Sequence, residues 1–203
     1  MNKLVTFLIA GVLISGLYSC KTKPSIEYKY QDKPQIIDCP GLDKDLLHEA
    51  LYSFEEDIAN HYNFKNYHPG TFLFYQHGHM SFIYFGCVGE ADFKKIVSPH
   101  TIEIFKELQK ETSLWDLENS GSKLNYKHEF VTCLLSNFEN QGIKSSIEAL
   151  IETNTMSPKI MAHPLRRNIS EANTNKYFAM YVALDAFYQQ LFDVDLLQDL
   201  ETN

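Results

Sequence analysis

The chain has 203 residues, of which 44% are apolar, so one globular domain is expected rather than two. Aromatic residues make up 13% of the chain, which is too many for intrinsic disorder and enough to fill a core. The net charge of −8, with no cluster of Lys and Arg, argues against a nucleic-acid partner and disfavours binding to anionic membrane surfaces.

The first twenty residues have the pattern of a secretory signal. Lys3 precedes an uncharged run over residues 4–17, which is too short to cross a bilayer stably because a spanning helix needs about 20 apolar residues. At the end of this run, Leu17-Tyr18-Ser19-Cys20 resembles the lipobox of bacterial lipoproteins, in which a small residue precedes a cysteine. The resemblance implies cleavage before Cys20, leaving residues 1–19 as a signal peptide, and attachment of a lipid to the Cys20 thiol.

Residues 20–40 are predicted to form a lipidated tether, because prolines recur through this polar stretch and cannot continue a helix. The helical domain itself is predicted over residues 41–203. No acidic run follows Cys20, and in bacterial lipoproteins this pattern implies an outer-membrane protein that faces the periplasm. The alternatives are an uncleaved N-terminal helix or an ordinary signal peptide that is cut elsewhere.

Apolar periodicity predicts an all-α protein, a compact bundle of about six helices. The clearest helices span 43–62, 99–111, 126–138, 144–153 and 174–192, and a short one starts at Ser157-Pro158. The first and the last long helix are expected to pack against each other at the centre. Residues 163–167 are expected to form a connecting loop, in which Arg166-Arg167 could clamp a carboxylate or headgroup or simply lie in solvent.

The aromatic segment 71–85 permits two interpretations. Its aromatic richness and its central glycine fit a small β-hairpin. An isolated two-stranded ribbon is marginally stable, however, and no other segment supplies strands to extend it. We therefore predict a helix at 71–85 and keep the hairpin as the alternative.

Three cysteines remain when Cys20 is set aside: Cys39, Cys87 and Cys133. An odd number in an oxidising compartment allows one disulfide with one buried free thiol, or no disulfide, since Cys133 lies among apolar residues. Cys39 is the most useful partner because a bond there would fix the tether to the core. We predict the pairing Cys39–Cys87 slightly ahead of the other two.

His77-Gly78-His79 is the one short pair of metal-type ligands in the sequence. In an extended backbone both rings could hold a metal ion, with a third ligand from His61, His68 or Cys87. The alternative is a polar turn or an exposed helix surface. The sequence contains no complete zinc-protease motif, nucleophile elbow or phosphate-binding loop, so we predict no cofactor and no catalytic residue.

Together these features predict a membrane-anchored lipoprotein of the bacterial cell envelope that acts as a non-enzymatic binding or interaction module. Its expected partners are the membrane, through the lipid anchor, and an unidentified envelope protein. One alternative is a metal-binding protein or metal-dependent enzyme built on His77 and His79. Another is a carrier of a small apolar ligand, which needs a cavity of at least roughly 300 Å³ among the aromatic helices.

Overall fold

The computed structural model describes residues 26–196, so the lipobox and Cys20 lie outside the described residues. Within that range the chain forms nine α-helices. They are α1 (Lys44–His61), α2 (Phe72–Phe85), α3 (Phe93–Ile96), α4 (Pro99–Leu108), α5 (Glu129–Ser136), α6 (Gln141–Glu152), α7 (Pro158–Arg167), α8 (Ile169–Thr174) and α9 (Lys176–Val182). The described part of the chain contains no sheet, and Trp115 and Leu124 form an isolated antiparallel bridge. The prediction of an all-α bundle is confirmed, with more and shorter helices than the expected six.

The first and last predicted helices meet at the centre of the core, as expected. The last begins with α9 and continues through a π-helical turn (Ala183–Phe187) into a 3-10 helix (Tyr188–Asp193). Phe187 of this segment contacts Phe54 of α1 edge-to-face, with ring centroids 5.1 Å apart. Tyr188 donates a hydrogen bond of 2.8 Å to the carbonyl oxygen of Ala50. No helix in the described range is both long enough and apolar enough to cross a membrane.

The segment 71–85 is the helix α2, so the hairpin alternative is wrong. Thr71 caps the helix by accepting a hydrogen bond from the Phe74 amide. Gly78 lies where α2 crosses α1, and a Cβ atom at that position would come within 2.7 Å of the Ala59 Cα. The central glycine therefore permits a close helix crossing rather than a turn.

Residues 163–167, expected to be a loop, are the second half of α7. Pro164 has no N–H to donate to the carbonyl oxygen of Ile160, four residues earlier in the helix. Because Ile160 is exposed, water can donate a hydrogen bond to that carbonyl instead. The prediction of a connecting loop at 163–167 is therefore wrong, because the helix continues through Pro164. As a result Arg166 projects from a helix, and its guanidinium carbon lies 4.0 Å from the centroid of the Tyr84 ring in α2.

Residues 26–40, which we call the strap, lie on the helical body and are not a free tether. Ile26, Ile37 and Cys39 are buried in the main core. The predicted boundary at residue 41 is therefore too late, because apolar side chains within the proline-containing segment join the core. Pro34 supplies its carbonyl oxygen to the Tyr52 hydroxyl at 3.0 Å.

Glu49 of α1 holds the strap in place. Its carboxylate is fully buried and accepts hydrogen bonds from the strap amides of Lys29 at 2.6 Å and Tyr30 at 3.1 Å. The same carboxylate lies 2.6 Å from His100 Nε2 of α4. One side chain thus joins the strap, α1 and α4, and a buried carboxylate needs several such donors to offset its desolvation.

A disulfide between Cys39 and Cys133 fixes the other end of the strap to α5. The predicted pairing of Cys39 with Cys87 is wrong, and Cys87 is instead a buried free thiol. Burial raises the pKa of Cys87 to about 12, so this thiol is unreactive at neutral pH. The general expectation that Cys39 would pin the N-terminal segment to the core is confirmed.

Removing the disulfide should destabilise the protein. The bond joins residues 94 positions apart, so the double variant Cys39→Ala/Cys133→Ala is expected to lose about 2–4 kcal/mol of unfolding free energy in denaturant titrations. Cys87→Ala, which leaves the bond intact, is the control for loss of a cysteine. Non-reducing peptide mapping should recover Cys39 linked to Cys133, and a peptide linking Cys39 to Cys87 would contradict the structure.

Weakening the Glu49 interaction should loosen the strap. In Glu49→Gln one carboxylate oxygen becomes an amide donor that faces other donors, so we expect a loss of about 1–3 kcal/mol of unfolding free energy. Hydrogen exchange at the amides of Lys29 and Tyr30 should accelerate. Glu103→Gln, at an exposed position of α4, is the matched control. Unchanged exchange at both amides would show that Glu49 does not hold the strap.

Candidate functional site

The two predicted metal ligands point to different parts of the structure. His77 is half-buried, and its Nδ1 lies 2.8 Å from the carbonyl oxygen of Tyr62. His79 is buried, and its Nε2 lies 3.2 Å from Oε1 of Glu55. Residues two apart on a helix face in nearly opposite directions, so these rings do not form the shared site that an extended backbone would allow. Among residues 26–196 no group of three or more His, Cys, Asp or Glu side chains could hold a metal ion.

His79 belongs to a buried charged cluster that the sequence did not reveal. Glu55 of α1 is only 2% exposed and accepts hydrogen bonds of 2.6 Å at both oxygens from Lys176 Nζ of α9. Burial alone would raise the pKa of Glu55, but the neighbouring His79 and Lys176 outweigh it and lower the pKa below its ordinary value. The cluster joins α1, α2 and α9 around one ionised carboxylate.

Asp185, in the π-helical turn, is the centre of a second buried polar cluster. Its Oδ1 accepts hydrogen bonds from Tyr126 at 2.5 Å and Ser122 at 2.8 Å, and its Oδ2 accepts one from Tyr181 at 3.0 Å. Gln189 Nε2 adds a fourth donor at 2.9 Å. Burial raises the pKa of Asp185 despite these donors. The cluster fastens the loop before α5 to the last helical segment, and its acceptors are already occupied within the chain.

A serine and a histidine also approach each other, but their arrangement does not activate the serine. Ser113 Oγ lies 3.2 Å from His128 Nε2. His128 is the N-cap of α5, and its Nδ1 accepts the Phe130 amide at 3.1 Å. Because Nδ1 is an acceptor, Nε2 of a neutral His128 carries the proton and cannot take one from Ser113. This pair therefore lacks the general base that nucleophilic catalysis requires.

Two concavities of the described residues differ from the cavity expected of an apolar-ligand carrier. A pocket of about 430 Å³ between the strap and α1 is lined by seven polar residues. The groove beside Phe105 and Phe192, which has apolar walls, measures about 200 Å³ and is smaller than an apolar-ligand cavity requires. The aromatic side chains instead pack against one another in the core, edge-to-face, as Phe54 and Phe82 do with ring centroids 5.3 Å apart.

An exposed apolar surface on α2 is the feature that the core does not explain. Nine large apolar side chains are exposed in the described residues, and six of them belong to α2 or to the loop before it. We call these six the α2 surface: Phe64, Phe72, Leu73, Met80, Tyr84 and Phe85. Phe64 is 70% exposed and Phe72 59%. Scattered exposed apolar residues are ordinary, whereas a concentration of them on one helix is unusual for the surface of a monomer.

Several residues of the α2 surface adjoin one another, directly or through the buried Tyr62 ring. Leu73, Met80 and Tyr84 are spaced by seven and four positions, which places them along one line of the helix. The Tyr84 ring contacts Phe85 with centroids 5.1 Å apart. Tyr62 connects Phe85 to Phe64, since its ring lies 6.0 Å from each of them.

The carboxylates near α2 come from outside residues 58–89: exposed Glu90 donates its amide to the Phe85 carbonyl oxygen at 2.9 Å, and Glu56 accepts a hydrogen bond of 3.3 Å from Tyr75. Residues 58–89 contain no Asp or Glu, although the whole chain has 26 of them, and Lys65 lies beside Phe64. Arg166 covers the Tyr84 ring and donates from Nη2 to the Tyr84 carbonyl oxygen. Arg166, expected in a loop, thus supplies a cation at the edge of this surface. A helix that is apolar on all sides is normally fully buried, so its sequence alone does not predict that part of α2 is exposed.

The Glu55 cluster should make stability depend on pH in the acid range. A carboxylate whose pKa is lowered by folding stabilises the fold fully above its unfolded pKa, near 4.5, and this contribution disappears as pH falls through the lower folded value. Glu55→Gln should therefore cost about 3 kcal/mol at neutral pH and flatten the loss of stability below pH 4.5. Glu56→Gln, half-exposed on the same helix, is the control for thermal unfolding measured across pH. Equal slopes for wild type and Glu55→Gln would contradict the assignment.

No protein-family model, curated protein or solved structure matches this chain. A proposal for its function therefore depends on its own residues. The strap, which fixes the N-terminal segment, and the α2 surface, which remains uncovered, are the two features that such a proposal must use.

Proposed function

We propose that this protein is a lipid-anchored, non-enzymatic binding module of a bacterial cell envelope, and that the α2 surface is where it binds. The observation that carries the binding role is the concentration of six exposed apolar side chains on α2 and the loop before it. Exposing such a surface costs free energy in water, so its retention is explained by a partner that covers it.

The anchoring part of the proposal rests on the resemblance of Leu17-Tyr18-Ser19-Cys20 to a lipobox. Ile26, at the start of the strap, is buried in the core. The six residue steps from Cys20 to Ile26 span at most about 20 Å, because an extended chain advances roughly 3.5 Å per residue. A lipid on Cys20 would therefore keep the helical body next to the membrane. We place the protein on the outer membrane, facing the periplasm.

The non-enzymatic part is supported by how the polar clusters are used. Glu49, Glu55 and Asp185 each accept hydrogen bonds from several donors within the chain. The Ser113–His128 pair has its histidine tautomer fixed by the α5 cap. These groups join elements of the fold to one another, which is the ordinary use of buried polar side chains.

Replacing the proposed lipid acceptor should prevent both acylation and cleavage before residue 20. Cys20→Ser keeps the size of the side chain but removes the thiol that would carry the lipid. We expect the wild-type chain in the membrane fraction with a mass that includes acyl chains, and the variant without that mass increase and unprocessed at Ser19. Cys87→Ala, which alters a thiol outside the signal, should fractionate and migrate as wild type.

An unmodified Cys20 in the native protein would contradict the anchoring proposal, as would a mature N-terminus at another residue. Intact-mass measurement and N-terminal peptide analysis distinguish these cases. Membrane fractionation alone does not, because the uncleaved apolar run at 4–17 would itself bind membranes.

A further inference from the structure

We infer that the pocket between the strap and α1 binds a small zwitterion, a free amino acid or a short peptide, with its ammonium group towards α1 and its carboxylate towards the strap. We call this cavity the strap pocket. Its volume of about 430 Å³ lies within the roughly 300–1,000 Å³ of small-ligand sites. The inference goes beyond the proposed function, because it needs neither the lipid anchor nor the α2 surface. It rests on side chains from both walls of the pocket: Tyr28, Gln31 and Lys33 of the strap, and Asp45, His48 and Glu49 of α1.

The strap pocket is formed by the way the strap lies on α1. Asp45, His48 and Glu49 are spaced by three and four positions from the first of them, so they neighbour one another on one side of the helix. The strap crosses this side because Glu49 accepts hydrogen bonds from the amides of Lys29 and Tyr30. One wall of the pocket is therefore strap and the other is helix, and a ligand between them contacts both.

Two opposite charges line the strap pocket without neutralising each other. Among residues 26–196, neither the ammonium group of Lys33 nor the carboxylate of Asp45 has a hydrogen-bond or ion-pair partner. Lys44, the residue before Asp45, is by contrast paired with Asp38 of the strap. A positive charge on the strap wall and a negative charge on the helix wall complement a ligand that carries both charges.

His48 supplies an acceptor that is almost entirely buried. It is only 9% exposed, and its Nε2 lies 2.7 Å from the carbonyl oxygen of Tyr30, so Nε2 carries the proton of the neutral ring. Nδ1 is then an acceptor, and it makes no hydrogen bond with any residue that the structure describes. Buried polar atoms are nearly always paired, and an ammonium group near Asp45 would supply the missing donor.

The electrostatic potential also favours a cation on the helix side of the strap pocket. Burial raises the pKa of Tyr28 to about 12, and so do four neighbouring carboxylates, those of Asp43, Asp45, Glu49 and Glu107. The same carboxylates attract an ammonium group and repel a ligand that is only anionic. Lys33 is the one lysine or arginine in the pocket lining, so it is the group that can accept the ligand's carboxylate.

The remaining lining suits a ligand with peptide-like polarity. The side-chain amide of Gln31 makes no hydrogen bond within the described part of the chain, and it offers both a donor and an acceptor. An apolar ligand would leave this amide, His48 Nδ1 and both charges unpaired, at a cost for each.

Calorimetric titration of the purified full chain tests the inference. The probes are each common free amino acid, Ala-Ala and Ala-Ala-Ala, so that amino acids and peptides are compared directly. We expect at least one probe to bind with a Kd of about 1 mM or tighter, and its N-acetyl and C-amide derivatives to bind about tenfold or more weakly. Absence of binding by every probe overturns the inference. So does equal affinity for either derivative, because one of the two charges would then be unused.

Two variants locate the binding site. Asp45→Asn and Lys33→Gln each remove one of the unpaired charges and should weaken binding of the tightest probe about tenfold. Because these side chains have no partner in the described residues, both variants should melt like the wild type. Asp32→Asn and Lys29→Gln, at exposed strap positions outside the pocket lining, are the matched controls and should bind like the wild type. Equal losses in variants and controls would reflect net charge alone and overturn the site.

Hydrogen exchange provides a second readout, because a ligand that bridges the strap and α1 should stabilise their contact. We expect the tightest probe to slow exchange at the amides of Lys29 and Tyr30 in the wild type but not in Asp45→Asn. Binding without slower exchange at these amides would place the ligand elsewhere and overturn the inference. Neither measurement involves Cys20 or the α2 surface, so failure here leaves the proposed function intact.

Discussion

The fold depends on the buried carboxylates of α1, because each must find donors on another element to offset the loss of water. Glu49 accepts hydrogen bonds from the strap amides and lies within hydrogen-bond distance of His100 in α4. Glu55 contacts His79 of α2 and Lys176 of α9 in the same way. Asp57 accepts the Ser98 amide at the start of α4 at 2.8 Å. Apolar packing alone would leave the helices free to shift relative to one another, whereas these directional contacts fix which residue of α1 faces which neighbour.

Local sequence signals predicted the helices well where a cap and an apolar stripe coincide. Asp43 caps α1, and Ser98 with Pro99 begins α4, as their residue types indicate. The strap, the disulfide partner and the Glu55 cluster were not predictable in this way. They depend on contacts between distant parts of the chain, such as Cys39 with Cys133 or Glu55 with Lys176, and no local pattern encodes such pairings. The loop predicted around Pro164 is wrong, because a helix tolerates proline where the carbonyl that loses its donor is reached by water.

The α2 surface was not predictable from the sequence for a different reason. Net charge and mean composition describe the whole chain, but binding depends on how charge is distributed over the surface. The carboxylates are absent from residues 58–89, and the fold exposes one line of α2 from that stretch while burying Phe74, Phe82 and Ile83 on the other side. Whether an apolar helix is covered on every side depends on how many neighbours pack around it, which the sequence of α2 does not state.

The strap limits how far the helical body could move from the proposed anchor. If residues 26–40 were part of a flexible tether, a lipid on Cys20 would leave the body free to tumble tens of ångströms from the bilayer. Glu49 and the Cys39–Cys133 bond hold residues 26–40 on the body, so these residues do not lengthen the link to the proposed lipid. A lipid on Cys20 would therefore keep the helical body, with its α2 surface, close to the membrane and not at the end of a long flexible segment.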